Sequence, residues 1–80
     1  MSMEIEEFKI AMGAEYEKAR LKFPRFHSAH EGHAVLREEV EELWDVVKAG
    51  KVLKVGAKQE CIQIAAMAMA FYLECVEHDV

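Results

Sequence analysis

Two glutamates, Glu39 and Glu42, stand three residues apart in the stretch Arg37-Glu38-Glu39-Val40-Glu41-Glu42-Leu43-Trp44-Asp45. On a helix that spacing puts both side chains on one face, so their oxygens converge on a point above it. At about 100° per residue, Leu36, Val40, Leu43 and Val47 form an apolar stripe, which Val35 and Val46 widen on one side. Glu39 falls between Val46 and Leu43, inside the apolar arc, and Glu42 falls at its edge beyond Val35. A bare charge on an apolar face is costly, so a carboxylate there must protonate, pair or bind a cation. Two converging carboxylates raise each other's pKa unless a metal lies between them, and all-oxygen ligation suits Mg²⁺ or Mn²⁺. The alternative is a solvated acidic face with i,i+4 partners, such as Glu41 with Arg37. That reading fits Glu38, Glu41 and Asp45, which point to the watery side.

A third carboxylate repeats the anomaly. Glu60 lies on the stripe of Ile64, Met67 and Phe71 near the start of the next apolar segment, with Gln63 one turn on and slightly aside. It either complements the positive end of a helix dipole or faces Glu39 and Glu42 as a third metal ligand. His27, His30 and His33 are spaced by three and offer a metal or phosphate reading against one of surface and capping residues. Lys54 and Lys58 follow the acidic helix closely; they approach an anionic substrate or merely complement the helix C-terminus. Trp44 stacks on a base or packs.

Three helices must carry these residues. The first is expected over 3–22, where Ile5, Phe8, Met12, Tyr16, Ala19 and Phe23 make one stripe and Ile10, Ala14 and Leu21 a second edge. Pro24 ends it, and Phe23 before it turns extended. The second is expected over 29–49. Ser28-Ala29-His30-Glu31 is a capping box and Gly50 a left-handed stop. Residues 51–58 read as a connector and 57–77 as the third helix. That helix is apolar nearly all round, as a central helix packed on several sides would be.

The 80 residues make one domain with a thin core. A net charge of −5 argues against a nucleic-acid surface, though not against an anionic ligand bridged by a metal. Cys61 and Cys75 fall about 21 Å apart on one helix, so they cannot bridge each other and read as buried thiols of a reducing cytoplasm. No signal peptide is expected from the acidic Met1–Ile10 segment. The ten-residue apolar run Ile64–Leu73 is too short to span a membrane.

Glu39-x-x-Glu42, then seventeen residues, then Glu60-x-x-Gln63 resembles the MazG-like all-α NTP pyrophosphohydrolases, which carry an ExxE pair on one helix and an ExxD pair on the next. The segment His30-Glu31-Gly32-His33-Ala34-Val35-Leu36-Arg37-Glu38-Glu39-Val40-Glu41-Glu42-Leu43-Trp44 looks like the family's "HEgyAVLxEExxELW". Lys58-Gln59-Glu60-Cys61-Ile62-Gln63-Ile64-Ala65-Ala66-Met67-Ala68 looks like its "KExxxxAAMA". The resemblance covers about residues 26–76. It implies cleavage of nucleoside triphosphates to a monophosphate and pyrophosphate with Mg²⁺. Glu39, Glu42, Glu60 and Gln63 would then be metal ligands, and Glu38 a catalytic base or water-orienting residue. Gln63 stands where the family has aspartate; an amide oxygen can ligate Mg²⁺ but brings no charge.

The expectation is an all-α, three-helix chain that completes an antiparallel four-helix-bundle-type core as a homodimer or homotetramer. Its expected function is that of a cytoplasmic, Mg²⁺-dependent (or Mn²⁺-dependent) nucleotide pyrophosphohydrolase acting on NTPs or dNTPs, with no nucleic-acid or membrane partner. The alternative is a non-catalytic relative that binds nucleotide or serves a structural role. A ferritin-like di-metal bundle would need Glu-x-x-His pairs, which Glu74 and His78, four apart, do not supply.

Overall fold

The computed structural model describes residues 2–50 and 53–78, with side chains described for 4–50 and 56–78. It is all-helical: α1 (Ser2–Lys22), α2 (Ala29–Ala49) and α3 (Leu53–Phe71), which runs directly into a π-helical turn, Tyr72–Val76. Among the described residues there is no strand, and no helix is long and apolar enough to cross a membrane.

The first two helices begin and end as their caps dictate. The α1 helix stops ahead of Pro24, with the Phe23 N–H still donating to the Ala19 carbonyl at 2.8 Å. Ser28, in extended backbone, accepts the Glu31 N–H on Oγ at 3.1 Å. The Glu31 carboxylate returns the favour one residue earlier than a capping box requires, accepting the His27 N–H. Gly50 closes α2 at φ 68°, its N–H donating to the Val47 carbonyl.

The third helix departs from expectation. It starts at Leu53, not 57, so most of the expected connector is helical, and its α-form ends at Phe71 rather than 77. Gly56 explains the early start. It is not loop punctuation but the point where α3 approaches α2: a Cβ there would sit 3.0 Å from Val46 Cγ1. Gly32 does the same at the other end of α2, where a Cβ would lie 2.8 Å from Phe71 Cδ2 and 2.9 Å from Phe26 Cδ2. Gly32 therefore sets a close approach.

Those two contacts make α2 antiparallel to α3. Phe8 and Lys58 share one cleft, while Arg20 reaches Glu74 farther along, so α1 runs parallel to α3. The α3 helix packs on both neighbours, whereas α1 and α2 scarcely touch each other. Among the described residues the buried apolar ones are few: Phe26, Ile62, Ala66 and Ala70.

The next i+4 step after Ala70 is Glu74, which is fully buried. Ordinary helical steps of four drift by about 40°, and the wider π turn counters that drift and keeps Glu74 inside. Its carboxylate accepts from Arg20 Nε at 2.6 Å and a second Arg20 nitrogen at 2.8 Å, from Tyr16 Oη at 2.8 Å and from the Phe26 N–H at 2.9 Å. Arg20 in turn lies against the Tyr16 and Phe26 rings. Burial alone would raise the Glu74 pKa; the Arg20, Phe26 and Tyr16 hydrogen bonds outweigh it and hold the carboxyl below its usual range. One buried carboxylate thus ties α1, the first connector and the π turn together.

Several apolar residues expected inside are outside in the single chain. Val40 is 47% exposed and Val47 45%. The α2 arc that faces α3 is instead Gly32, Val35, Leu36, Glu39, Leu43 and Val46, with Glu39 at its centre. On α3, Cys61, Ala68, Tyr72 and Val76 are exposed and Cys75 is only half-buried, so the thiols are not the buried pair expected.

Candidate metal centre

The α2–α3 register set by Gly32 and Gly56 carries the acidic pair of α2 to the start of α3. One carboxylate oxygen from each of Glu39, Glu42 and Glu60 lies within 4.8 Å of the other two, the only such group among the described residues. Glu39 and Glu60 are half-buried and Glu42 is exposed. Oε1 of Glu39 and Oε1 of Glu60 are both cut off from water and have no hydrogen-bond partner.

The electrostatics follow from that crowding. Burial, then the charges of Glu42, Glu60, Glu38 and Glu15, push the Glu39 carboxyl up to about 7. Glu60 is also raised, first by burial, then by the charge of Glu42 and a hydrogen bond with it. Without a cation the cluster must hold protons to exist near neutral pH. The donor set is all oxygen and anionic, which is what Mg²⁺, Mn²⁺ or Ca²⁺ takes, and two of its oxygens have no other use. The residues present therefore fit a divalent cation.

A cleft of about 200 Å³ opens beside the cluster because α1 and α2 leave α3 uncovered between them. Glu15 and Ala19 of α1, with Phe23 just beyond its end, form one wall, Val35 and Glu39 of α2 the other, and Gln63 and Met67 of α3 the floor. Gln63 thus lines the same cleft as Glu39. A second cleft of about 380 Å³ shares Ala19, Phe23, Val35 and Met67 and extends toward Arg20, Glu31 and Glu38. Glu38 is exposed there, adjoining the cluster rather than entering it.

Trp44, Lys58 and the three histidines are not brought to the cluster within this chain. Trp44 is 52% exposed, with the Lys48 ammonium 5.6 Å from its ring centre. Lys58 lines a groove between α1 and α3 with Glu4, Glu7 and Phe8. The Lys54 side chain lies outside the described residues. His30 and His33 border a separate cleft with Ala29 and Phe71, and His27 is exposed in the connector before α2.

No protein-family model, curated protein or solved structure matches this chain. The likeness to the MazG-like enzymes therefore rests on the residue pattern. Two residues escaped the sequence reading. Glu15 sits at the edge of the α1 stripe, and Glu74 continues the i,i+4 row of Ile62, Ala66 and Ala70; each breaks an apolar pattern, which was the available signal.

Proposed function

We propose that this chain is a Mg²⁺-dependent, cytoplasmic nucleotide pyrophosphohydrolase that converts NTPs or dNTPs to the monophosphate and pyrophosphate, a house-cleaning activity. The observation that carries the reading is the cluster of Glu39, Glu42 and Glu60, with two buried carboxylate oxygens lacking any partner. Glu39, Glu42 and Glu60 would hold the cation, with the amide oxygen of Gln63 beside them. A bound divalent cation would neutralise phosphate oxygens and lower the pKa of water. Hydrolysis forms a bond from the water oxygen to the α phosphorus, where it stays on the monophosphate, and breaks the bond from the α phosphorus to the α–β bridging oxygen, which leaves on pyrophosphate while the water gives up a proton to solvent. The apolar residues Ala19, Phe23, Val35 and Met67 line the cleft next to the cluster and would shelter the nucleoside from water.

The active form is proposed to be a homodimer or homotetramer. The single chain exposes 5997 Å², whereas a folded monomer of 9.2 kDa is expected to expose about 4,900 Å². That surplus of about 1,100 Å² is of the size a stable subunit contact removes per partner. Ile10, Leu21, Val40, Trp44 and Val47 are among the exposed residues that a second copy would cover.

The test is pyrophosphate release from a panel of canonical and modified NTPs and dNTPs with Mg²⁺, Mn²⁺ or EDTA. Glu39→Gln is the control. Metal-dependent release that vanishes in the control supports the enzyme. No release from the folded oligomer with either metal overturns it in favour of the second reading, a non-catalytic nucleotide-binding or structural relative. That second reading draws on Gln63, which leaves the cation one charge short.

A further inference from the structure

We infer that Glu15 of α1 supplies the fourth carboxylate of the cation site, the charge that Gln63 does not bring. The inference rests on the proposed cation site and adds a residue from a third helix to it.

The cleft beside the cluster is built in layers. Its lining recurs at steps of four: Glu15 and Ala19 on α1 with Phe23 just past its end, Val35 and Glu39 on α2, Gln63 and Met67 on α3. The register that Gly32 and Gly56 set puts Glu39 level with Gln63 and Val35 level with Met67, and Glu15 and Ala19 look onto those residues from α1. Glu15 therefore faces the same space as Glu39 from the opposite wall. Its charge adds to the repulsion that acts on Glu39. Among the described residues no hydrogen bond or ion pair holds the Glu15 side chain elsewhere, although Tyr16 and Arg20, its neighbours on α1, are both committed to Glu74.

A half-buried carboxylate with no cationic partner, facing Glu39 across the cleft, adds like-charge repulsion to the cation-free protein. A divalent cation reverses the sign of that interaction. Glu39, Glu42 and Glu60 supply three negative charges and Gln63 none; Glu15 makes the set four. Glu15 stands outside the three oxygens that lie within 4.8 Å of one another, so it would act on the ion across the cleft through water, and its charge would raise affinity for the ion.

The experiment is a titration with Mn²⁺ alone, read by the spin-resonance signal of the free ion, with helix content and melting temperature checked for every variant. Wild type is compared with Glu15→Gln, Gln63→Asp, the double variant and Glu39→Gln. Glu15→Gln should weaken Mn²⁺ binding by about tenfold or more, the usual loss when a supporting group of a metal site is removed. Gln63→Asp should tighten it, and in the double variant should recover most of what Glu15→Gln lost. The idea is overturned if Glu15→Gln binds Mn²⁺ as wild type does while Glu39→Gln does not. It is also overturned if Gln63→Asp gives no recovery in the double variant. If the folded wild-type chain takes up no Mn²⁺, both this inference and the proposed cation site fail together.

Discussion

Replacing Glu39 with glutamine should make the cation-free protein more stable, and by an amount that depends on pH. The Glu39 carboxyl is pushed up to about 7 from an ordinary 4.5, chiefly by burial and then by its acidic neighbours. The folded chain thus holds this proton more tightly than the unfolded chain does. Below pH 4.5 both states are protonated and nothing is lost. As pH rises from there, the unfolded state gives up its proton first, so stability falls until about pH 7 and stays reduced above it. The separation of about 2.5 pH units, at about 1.4 kcal/mol each, sets a ceiling of about 3.5 kcal/mol on the penalty. Glutamine keeps the shape without the charge and recovers up to that amount. In a chain of this size, that corresponds to a rise in Tm of roughly 10 °C or more at pH 8. The two proteins should melt nearly alike at pH 4.5. Mg²⁺ at a hundred times its Kd should stabilise wild type at pH 8 by about 2.7 kcal/mol and leave Glu39→Gln unmoved. The assay is thermal unfolding at matched protein concentration across pH 4.5–8, with and without Mg²⁺. The reasoning is refuted if Glu39→Gln melts no higher than wild type at pH 8 in EDTA, or if its advantage is the same at both ends of the pH range.

Other consequences can be checked on the same instrument. Glu74→Gln leaves Arg20 without its buried partner and should cost about 3–5 kcal/mol; an unchanged melting temperature would show that the network contributes nothing. Because the folded Glu74 carboxyl is held below its usual range, its stabilisation is complete above that range and is lost as pH falls through the folded value. Together with the Glu39 penalty this puts the cation-free stability maximum at about pH 5, and Mg²⁺ should move it toward neutrality. Gly32→Ala gains up to about 1 kcal/mol of helix propensity. Its Cβ, however, would meet Phe71 and Phe26 under 3 Å, and such overpacking costs about 1–3 kcal/mol. The expected net effect is a lower melting temperature, and a higher one would mean that α2 can shift away freely.

Much of the site was legible in the chain because its signals are local. Glu39 and Glu42 converge through helical geometry alone, whatever the rest of the protein does. Glu60 announces itself by breaking an apolar stripe in the same way. Ser28 with Glu31, Pro24 and Gly50 fix the limits of α1 and α2 within a turn of backbone, and the structure keeps all of them.

What the sequence could not decide is how each helix is rotated about its own axis toward its neighbours. Periodicity gives the angles among residues of one helix and leaves that rotation free. The stripe centred on Val40 and Leu43 was the more apolar choice for α2, yet the arc facing α3 is centred on Glu39. Gly32 against Phe71 and Gly56 against Val46 allow the closest approach there, and close approach outweighs two valines left outside. The same packing sets Glu15 across a cleft from Glu39 and lets Glu74 reach Arg20, contacts between residues 24 and 54 apart in the chain. Sequence by itself determined which groups carry charge and where α1 and α2 begin and end. Only the tertiary structure determined which charges share a dry space, because that depends on where two backbones can come near enough to exclude water.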